Sequence, residues 1–238
     1  EQAYKRMGFD TRIGAASIAE VFYPGIMVTS GDAEDTIETV EEISQRVGAV
    51  VAPSVEACRH TADRMAVRKQ ANEELGLPTL DYEFAATPQE MHDAVERIGY
   101  PCVVKAPTSK DGEGFSFVHS DADLADAWRA ADRGLGQGAV VERFIDFDFE
   151  VTILAARSID PSTGELATWF CEPIGTRHRE GRLVESWQPA PLPEAAMDNA
   201  RSIAARIVGA LASCGIFSVE MFVSGDDVYF SQVTPRPS

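Results

Sequence analysis

Apolar positions near the start of the chain change from a strand-like run to a helical spacing and back again. Residues 24–29 predict a strand, apolar residues at helical spacing between positions 37 and 47 predict an amphipathic helix, and residues 49–52 predict a second strand that ends at Pro53. A strand, a helix and another strand in this order indicate a parallel α/β unit.

The middle of the chain predicts a small lobe of helices and short strands. One helix is preceded by Thr87, a capping residue, and by Pro88, which suits the first helical position. The run 101–106 is largely apolar around Lys105, which is typical of a buried strand. In chain order, the predicted elements are helix 61–75, helix 87–98, strand 101–106, strand 115–118 and helix 121–132.

A second, strand-rich lobe is predicted after the glycine-containing linker 134–138, because Val, Ile, Phe and Thr become frequent there. The residues Gly225-Asp226-Asp227 have the chemistry of a hairpin turn between the last two strands. The predicted elements are strands 139–144, 149–157 and 167–174, helix 193–212, and strands 217–224 and 228–233. The expected fold class is α/β, with α+β lobes.

The amino-acid composition argues against two classes of binding partner. The chain carries 38 acidic and 21 basic residues, and a surface with this net charge of −17 repels nucleic acid and anionic membranes, so we expect neither as a partner. No apolar run approaches the ~18 residues of a membrane span, and the first residues show no secretory signal. The four cysteines lack metal-binding spacing and fit a cytoplasmic location, and Cys102 and Cys171 are predicted to be buried.

Several polar positions suit a site that activates a carboxylate with ATP. A carboxylate is a poor electrophile until a phosphoryl group converts it to an acyl phosphate, so such a site must hold a polyphosphate with cations, backbone N–H groups and Mg²⁺. Lys105 ends a buried strand and can project its ammonium group into a cleft. The loop from Ser109 to Gly114 contains two glycines that allow backbone amides to approach an anion.

Four further positions could complete this site. Glu142 ends a strand whose backbone could contact an adenine edge, and Glu150 could accept hydrogen bonds from ribose hydroxyls. Glu220 and Gln232 lie on adjacent strands of the predicted hairpin, close enough to share a cation. Each feature taken alone has a simpler explanation, because a lysine at a strand end is commonly ion-paired and a short glycine-containing loop is commonly a turn.

Five separate stretches, taken together, resemble the formate-dependent glycinamide ribonucleotide transformylases. They read EELGLPT, IGYPCVVK, FDFE, ESWQP and PRP, and they lie at residues 73–79, 98–105, 147–150, 185–189 and 235–237. The resemblance implies an ATP-grasp fold that follows a Rossmann-like domain, and it also implies a homodimer. The expected division is a partial pre-ATP-grasp domain at 1–58, a first lobe at 59–136 and a second lobe at 137–238.

The resemblance also implies a role for individual residues. Arg64 and Lys105 would bind the nucleotide phosphates, Glu220 and Gln232 would hold Mg²⁺, and Asp32 would contact the ribonucleotide. Arg236 would lie near the transferring phosphoryl group or formate. The remaining nucleotide-binding positions are Lys110, Asp111, Gly112, Glu113, Gly114 and Phe115 in the flexible loop, and Glu142, Ile145 and Glu150 around adenine and ribose.

Five positions depart from the family pattern. Glu113 replaces the lysine of a Gly-Lys-Gly core, and a carboxylate near a polyphosphate is repulsive by about 1 kcal/mol or more. Gln232 replaces a metal-binding carboxylate, Thr176 and Ser238 replace histidines, and Asp146 replaces a lysine or a neutral residue. The family continues past the position of Ser238 into a C-terminal domain, so we expect either a truncated chain or a divergent paralogue.

Three functional hypotheses follow. In the first, ATP and formate give formyl phosphate, which formylates the amine of glycinamide ribonucleotide in purine synthesis. In the second, the same acyl-phosphate chemistry acts on another acid or another amine. In the third, the chain binds ATP or a partner but has lost turnover, as the residues Glu113 and Gln232 suggest.

Overall fold

The computed structural model describes Arg6 and residues 26–28, 34–48, 50–107, 114–179 and 182–236. The α-helices within these ranges are α1 (Glu34–Val47), α2 (Val55–Ala62), α3 (Arg64–Lys69), α4 (Pro88–Ile98), α5 (Leu124–Asp132) and α6 (Glu194–Ala210). A π-helical turn, Gln70–Glu74, continues α3, and a 3₁₀ turn, Asp121–Asp123, leads into α5. None of the described helices combines the length and the apolar character needed to cross a membrane.

The β-strands within the same ranges form three sheets. In chain order they are β1 (Ile26–Val28), β2 (Val50–Ala52), β3 (Tyr82–Ala85), β4 (Cys102–Lys105), β5 (Ser116–Val118), β6 (Ala139–Arg143), β7 (Phe149–Ile159), β8 (Leu166–Phe170), β9 (Ile174–Arg179), β10 (Arg182–Trp187), β11 (Gly215–Ser224) and β12 (Asp227–Thr234).

The first sheet pairs β1 with β2 in parallel, and α1 connects the two strands. The helix ends at Val47 because Gly48 adopts a left-handed conformation, with φ of 69°, which glycine tolerates without steric cost. The strand–helix–strand unit predicted from the apolar pattern is therefore confirmed.

The second sheet has the order β3-β6-β4-β5 and is antiparallel throughout. Helix α4 begins where the Thr87 side chain accepts a hydrogen bond from the Glu90 backbone N–H, with Pro88 at the first helical position, as predicted. Helices α4 and α5 pack on one face and bury an apolar core. Strand β6 belongs to this sheet, although the expected division placed residues 139–143 in the second lobe.

The third sheet has the order β10-β9-β7-β11-β12, and β8 pairs with a further part of β7. Helix α6 packs on one face, against a core that includes Phe217 and Phe230. Strands β11 and β12 form the predicted hairpin, and Gly225 supplies the left-handed residue of its turn, with φ of 60°. Polar residues such as Glu220 lie on the opposite face of this sheet, which α6 does not cover.

Three details differ from the sequence expectation. The helix predicted from Thr61 begins earlier, at Val55, because the Ser54 hydroxyl caps it by accepting from the Ala57 backbone N–H, and Asp63 then ends α2 and caps α3. The predicted strand 167–174 is divided into β8 and β9. Cys102 is buried as expected, but Cys171 is exposed, because it follows the end of β8 in the segment between the two strands.

Candidate functional site

Lys105, Glu142 and Arg68 form a buried ionic cluster on the face of the second sheet that the helices leave free. The Glu142 side chain is only 6% exposed, and its two oxygens have different partners. Lys105 Nζ lies 2.6 Å from Glu142 Oε2, and Arg68 Nη2 lies 2.7 Å from Glu142 Oε1. Lys105 therefore reaches the cleft predicted for it, and in this structure a carboxylate neutralises its charge.

The electrostatic balance of Glu142 favours ionisation. Burial by itself raises the pKa of a carboxyl group, but here the charges of Lys105, Arg68 and Arg64 outweigh burial and lower the pKa of Glu142 to about 2. The carboxylate is thus ionised at every physiological pH, and it holds two cations in a fixed arrangement.

Arg64 lies between this cluster and the third sheet. It is the first residue of α3, and Asp63 fixes the start of that helix by accepting hydrogen bonds from the backbone N–H groups of Met65 and Ala66, each at 3.0 Å. Burial lowers the pKa of Arg64, while the charges of Glu142 and Glu220 act in the opposite direction. Arg64 is therefore within electrostatic reach of carboxylates on both sheets.

The third sheet, on the other side of these cations, carries carboxylates. Glu220 on β11 and Gln232 on β12 are directly opposite each other in the strand register, as the hairpin prediction required. Burial raises the pKa of Glu220, and the nearby charge of Glu150 raises it further, while Arg64, His178 and Lys105 lower it. Lys105 and Glu220 therefore share one electrostatic environment.

The side-chain oxygens of Glu220 and Gln232 form a donor set that fits Mg²⁺. A buried carboxylate whose pKa is raised by a second carboxylate gains stability from a nearby divalent cation, because the cation offsets both burial and repulsion. Gln232 adds an amide oxygen from the opposite strand. Oxygen donors from carboxylate and amide groups are the ligands that Mg²⁺ prefers.

Glu150 is held by residues of β9. His178 Nδ1 lies 2.7 Å from Glu150 Oε2, and the Thr176 hydroxyl donates to the Glu150 backbone carbonyl at 3.3 Å. The hydrogen bond to Glu150 raises the pKa of His178, and burial opposes that effect. Thr176, one of the positions predicted to depart from the family pattern, lies two positions before His178 on the same strand, so both side chains point to one face of the sheet.

The other predicted site residues are distributed around these groups. Arg236 follows β12, where its backbone carbonyl accepts a hydrogen bond from the Ser218 hydroxyl at 2.6 Å. Ile145 lies between β6 and β7, and the Phe115 ring packs edge-on against Phe117 at 5.0 Å between centroids. Gly114 receives a hydrogen bond from the Ala106 backbone N–H at its carbonyl. Asp32, Lys110, Asp111, Gly112 and Glu113 lie outside the described residues.

One cleft brings Arg64, Arg68, Lys105, Glu142 and Gln232 together, whereas Glu220, Glu150 and His178 are not among the residues that line it. Its lining includes residues of α3, of the second sheet and of β12, namely Arg64, Arg68, Lys105, Glu142, Ser231 and Gln232. Sequence reasoning missed Arg68 and His178. The spacing of Arg68 four residues after Arg64 on a helix, which places both on one face, was the available signal for the first.

Comparison with known proteins identifies the family to which the chain belongs. Residues 70–238 match the model of the ATP-grasp domain, and these residues include both β4 with Lys105 and the hairpin of β11 and β12. The chain therefore belongs to the ATP-grasp family.

The particular relatives agree with the motifs found in the sequence. The chain is 49% identical, over 229 residues, to the formate-dependent phosphoribosylglycinamide formyltransferase of Corynebacterium efficiens, and the match covers 94% of this chain and 57% of the relative. The chain thus spans little more than half the length of that relative.

Solved structures resemble the fold over nearly the whole chain. The structure described as glycinamide-RNase-transformylase T of Mycobacterium tuberculosis is 32% identical with a TM-score of 0.73, covering 94% of this chain and 58% of that one. An N5-carboxyaminoimidazole ribonucleotide synthetase of Thermus thermophilus is 27% identical with a TM-score of 0.76, covering 93% of this chain and 57% of that one. The resemblance predicted from five short motifs is confirmed.

Proposed function

We propose that this protein uses ATP to activate formate as formyl phosphate and transfers the formyl group to the amine of glycinamide ribonucleotide. The observation that carries the proposal is the cleft in which Arg64 and Lys105 approach Gln232, with Glu220 in electrostatic reach. Support for the particular substrates comes from the relatives named formate-dependent phosphoribosylglycinamide formyltransferase.

The chemistry consists of two displacements. A formate oxygen attacks the γ-phosphorus of ATP, the bond from that phosphorus to the bridging oxygen breaks, and ADP leaves. The amine nitrogen then attacks the formyl carbon, inorganic phosphate leaves with the shared electron pair, and the nitrogen loses a proton. Both steps develop negative charge on phosphate oxygens, which cations in a partly buried cleft stabilise more strongly than water does.

The residues of the cleft have distinct roles in this scheme. Lys105 and Arg64 neutralise the polyphosphate, and Arg236 lies close to the transferred group. Glu220 and Gln232 are the residues that would hold Mg²⁺, which supplies further charge neutralisation at the phosphates when it is bound. The adenine and ribose positions are the backbone at Glu142 and Ile145 and the carboxylate of Glu150.

The ionic cluster must rearrange when a nucleotide binds. Lys105 Nζ is engaged by Glu142 at 2.6 Å, so binding exchanges this contact for one with a phosphate oxygen. The exchange is feasible because Arg68 remains on the other oxygen of Glu142, and the carboxylate is not left without a counter-charge.

The remaining roles concern residues and properties outside the described cleft. The loop that contains Lys110, Asp111, Gly112, Glu113, Gly114 and Phe115 would cover the phosphates, and Asp32 would contact the ribonucleotide. We further propose a cytoplasmic homodimer, in line with the family resemblance.

Calorimetry of Mg²⁺–ATP binding tests the nucleotide site. Lys105→Ala is expected to raise the Kd at least about tenfold, because it removes a charge-assisted contact to the phosphates. Lys69→Ala is the matched control, since Lys69 is an exposed lysine on α3. Equal affinities for the two variants would refute the role of Lys105.

Turnover tests the reaction itself. The protein, supplied with Mg²⁺–ATP, formate and glycinamide ribonucleotide, is expected to release ADP and formylated ribonucleotide in equal amounts. Nucleotide binding without such turnover would refute the formyl-transfer proposal while leaving the nucleotide site intact.

A second candidate function is ATP binding with weakened or altered acyl transfer. Gln232, a neutral residue directly opposite Glu220, favours it, because an amide lacks the charge that attracts Mg²⁺ in competition with water. ATPase assays across small carboxylic acids would reveal a different acid. If Glu113→Lys combined with Gln232→Glu leaves turnover unchanged, these two positions do not limit activity.

A further inference from the structure

Arg68 is a buried arginine that was not among the residues predicted to bind the nucleotide, the metal or the substrate. Its side chain is 8% exposed, and its guanidinium lies over the Tyr82 ring at 5.4 Å from the centroid. Burying a charged side chain is costly unless hydrogen bonds and opposite charge compensate it. The partners that provide the compensation therefore indicate what the residue does.

Those partners come from two different sheets. Arg68 Nη2 donates to Glu142 Oε1 at 2.7 Å, on β6 of the second sheet, and to the Ser231 backbone carbonyl at 3.0 Å, on β12 of the third sheet. Ser231 directly precedes Gln232, and the other oxygen of Glu142 binds Lys105. One guanidinium thus connects the lysine strand to the strand of the metal-binding hairpin.

A second nitrogen of the Arg68 guanidinium is also buried. Nη1 is buried and has no hydrogen-bond partner among the residues that the structure describes, and Arg68 is part of the lining of the cleft. A buried donor in this condition is uncommon and normally indicates that a polar group occupies the adjacent space in the working protein. Arg68 is therefore a polar wall of the cleft rather than part of the apolar core.

We propose that Arg68 is a positioning residue of the nucleotide site, which holds Glu142 and β12 together and so fixes the place of Lys105 relative to the metal-binding strand. This inference rests on the proposed nucleotide site. A planar guanidinium with several donors can satisfy Glu142 and Ser231 at once, whereas the ammonium group of a lysine on a flexible stem lacks this preset geometry.

Arg68 also allows Lys105 to leave Glu142 and bind a phosphate oxygen. With Arg68 on one oxygen, the charge of Glu142 is shared between two cations, so Lys105 can exchange Glu142 for a phosphate oxygen. Without Arg68, Lys105 is left as the one cation of the described residues that is ion-paired with the buried Glu142 carboxylate, and it is held there more firmly. Loss of Arg68 should therefore weaken the binding of phosphates and spare the binding of the nucleoside.

The experiment compares the dissociation constants of Mg²⁺–ATP and of adenosine. Arg68→Gln is expected to raise the Kd for ATP about tenfold and to change the Kd for adenosine by less than about twofold. Arg68→Lys is expected to show most of the same loss, since it keeps the charge but not the planar fork. Arg97→Gln is the matched control, because Arg97 binds Glu83 in a bidentate pair on the exposed surface of the same lobe.

A double-substitution cycle with Lys105→Ala identifies the route of the effect. If Arg68 acts through Lys105, Arg68→Gln adds less than about a twofold loss of ATP affinity in the Lys105→Ala background. A loss there as large as in the unsubstituted protein would overturn the inference, because Arg68 would then act on the nucleotide without Lys105.

Other outcomes are equally decisive. Parallel losses for ATP and adenosine would indicate a purely structural role and overturn the proposal, as would affinities equal to those of Arg97→Gln. If Arg68→Gln shows no cooperative unfolding, Arg68→Lys decides the matter by the same two measurements. Failure of the unsubstituted protein to bind ATP would refute both the nucleotide site and this inference. Tight ATP binding that is unchanged by substitution of Arg68 would overturn the inference alone.

Discussion

Glu142→Gln should reduce the acid sensitivity of the fold. The substitution keeps the shape of the side chain but removes its titration. In the folded protein the charges of Lys105 and Arg68 outweigh burial and lower the pKa of Glu142 from 4.5 to about 2. Because the folded pKa lies below the unfolded pKa, the carboxylate stabilises the fold above pH 4.5, and this contribution is lost as the pH falls toward 2.

The magnitude follows from the size of the shift. Each unit of pKa difference corresponds to about 1.4 kcal/mol, so Glu142 contributes about 3 kcal/mol to the free energy of unfolding at neutral pH. Between pH 7 and pH 3, about 2 kcal/mol of this contribution should disappear. The side chain is 6% exposed, so solvent screening reduces the value little.

The assay is urea unfolding of both proteins at several pH values between ~7 and ~3. The difference in unfolding free energy between the unsubstituted protein and Glu142→Gln should shrink by about 2 kcal/mol across this range. Glu83→Gln is the control, because Glu83 forms an exposed pair with Arg97 and should change the pH dependence little. A difference for Glu142→Gln that stays constant with pH would refute the assignment of a depressed pKa to this residue.

Three further predictions concern other parts of the site and the fold. Gln232→Glu should lower the Tm in EDTA and enlarge the rise in Tm on adding Mg²⁺, because two carboxylates then face each other across the hairpin; an unchanged Mg²⁺ effect would contradict the metal assignment. His178→Gln should lower the Tm more at pH ~5.5 than at pH ~8.5, since the bond to Glu150 raises the pKa of His178 and its contribution is lost as the pH rises; an equal loss at both values would contradict this reasoning. Gly138→Ala should destabilise the fold by about 2 kcal/mol, because φ is 77° and the added Cβ would clash with the Ala85 carbonyl oxygen. Gly136→Ala is the control, because Gly136 is also left-handed but has no atom within 4 Å of the added Cβ, so its loss of stability measures the backbone strain without the clash.

Local sequence signals predicted the elements whose ends carry strong chemical markers. Thr87 with Pro88 fixed the start of α4, and Gly225 with Asp226 fixed the hairpin turn. These markers act within a few residues of the chain, so they can be recognised without knowledge of the fold. The lysine at the end of β4 was found for the same reason.

The elements that were missed depend on tertiary pairing. Strand β3 has four residues and becomes a strand by pairing with β6, and β10 is an edge strand whose described side chains are exposed. Neither segment has an apolar period long enough to distinguish it from a loop. The place of β6 in the second sheet likewise depends on tertiary pairing, because its contacts with β3 and β4 decide to which sheet it belongs.

The candidate site shows the same distinction. Lys105 and the hairpin carboxylate were visible as separate motifs, whereas the cluster of Arg68, Glu142 and Lys105 was not. Arg68 and Glu142 are 74 residues apart in the chain, and the contact between them is a property of the packed lobes. A sequence pattern can therefore name groups that could bind phosphate, but not the groups that decide how those cations are held.

The charge distribution across the cleft explains why the nucleotide and Mg²⁺ should differ in how strongly they are bound. The wall formed by α3 and the second sheet carries Arg64, Arg68 and Lys105 against Glu142, so it keeps an excess of positive charge for a polyphosphate. On the third sheet Glu220 is paired in register with Gln232, a neutral residue, so this side attracts a cation less strongly than two carboxylates would. The nucleotide should therefore be bound mainly through the cationic wall, and Mg²⁺ should arrive with the phosphates rather than before them. Metal binding in the absence of nucleotide should accordingly be weak, and Gln232→Glu is the substitution that should strengthen it.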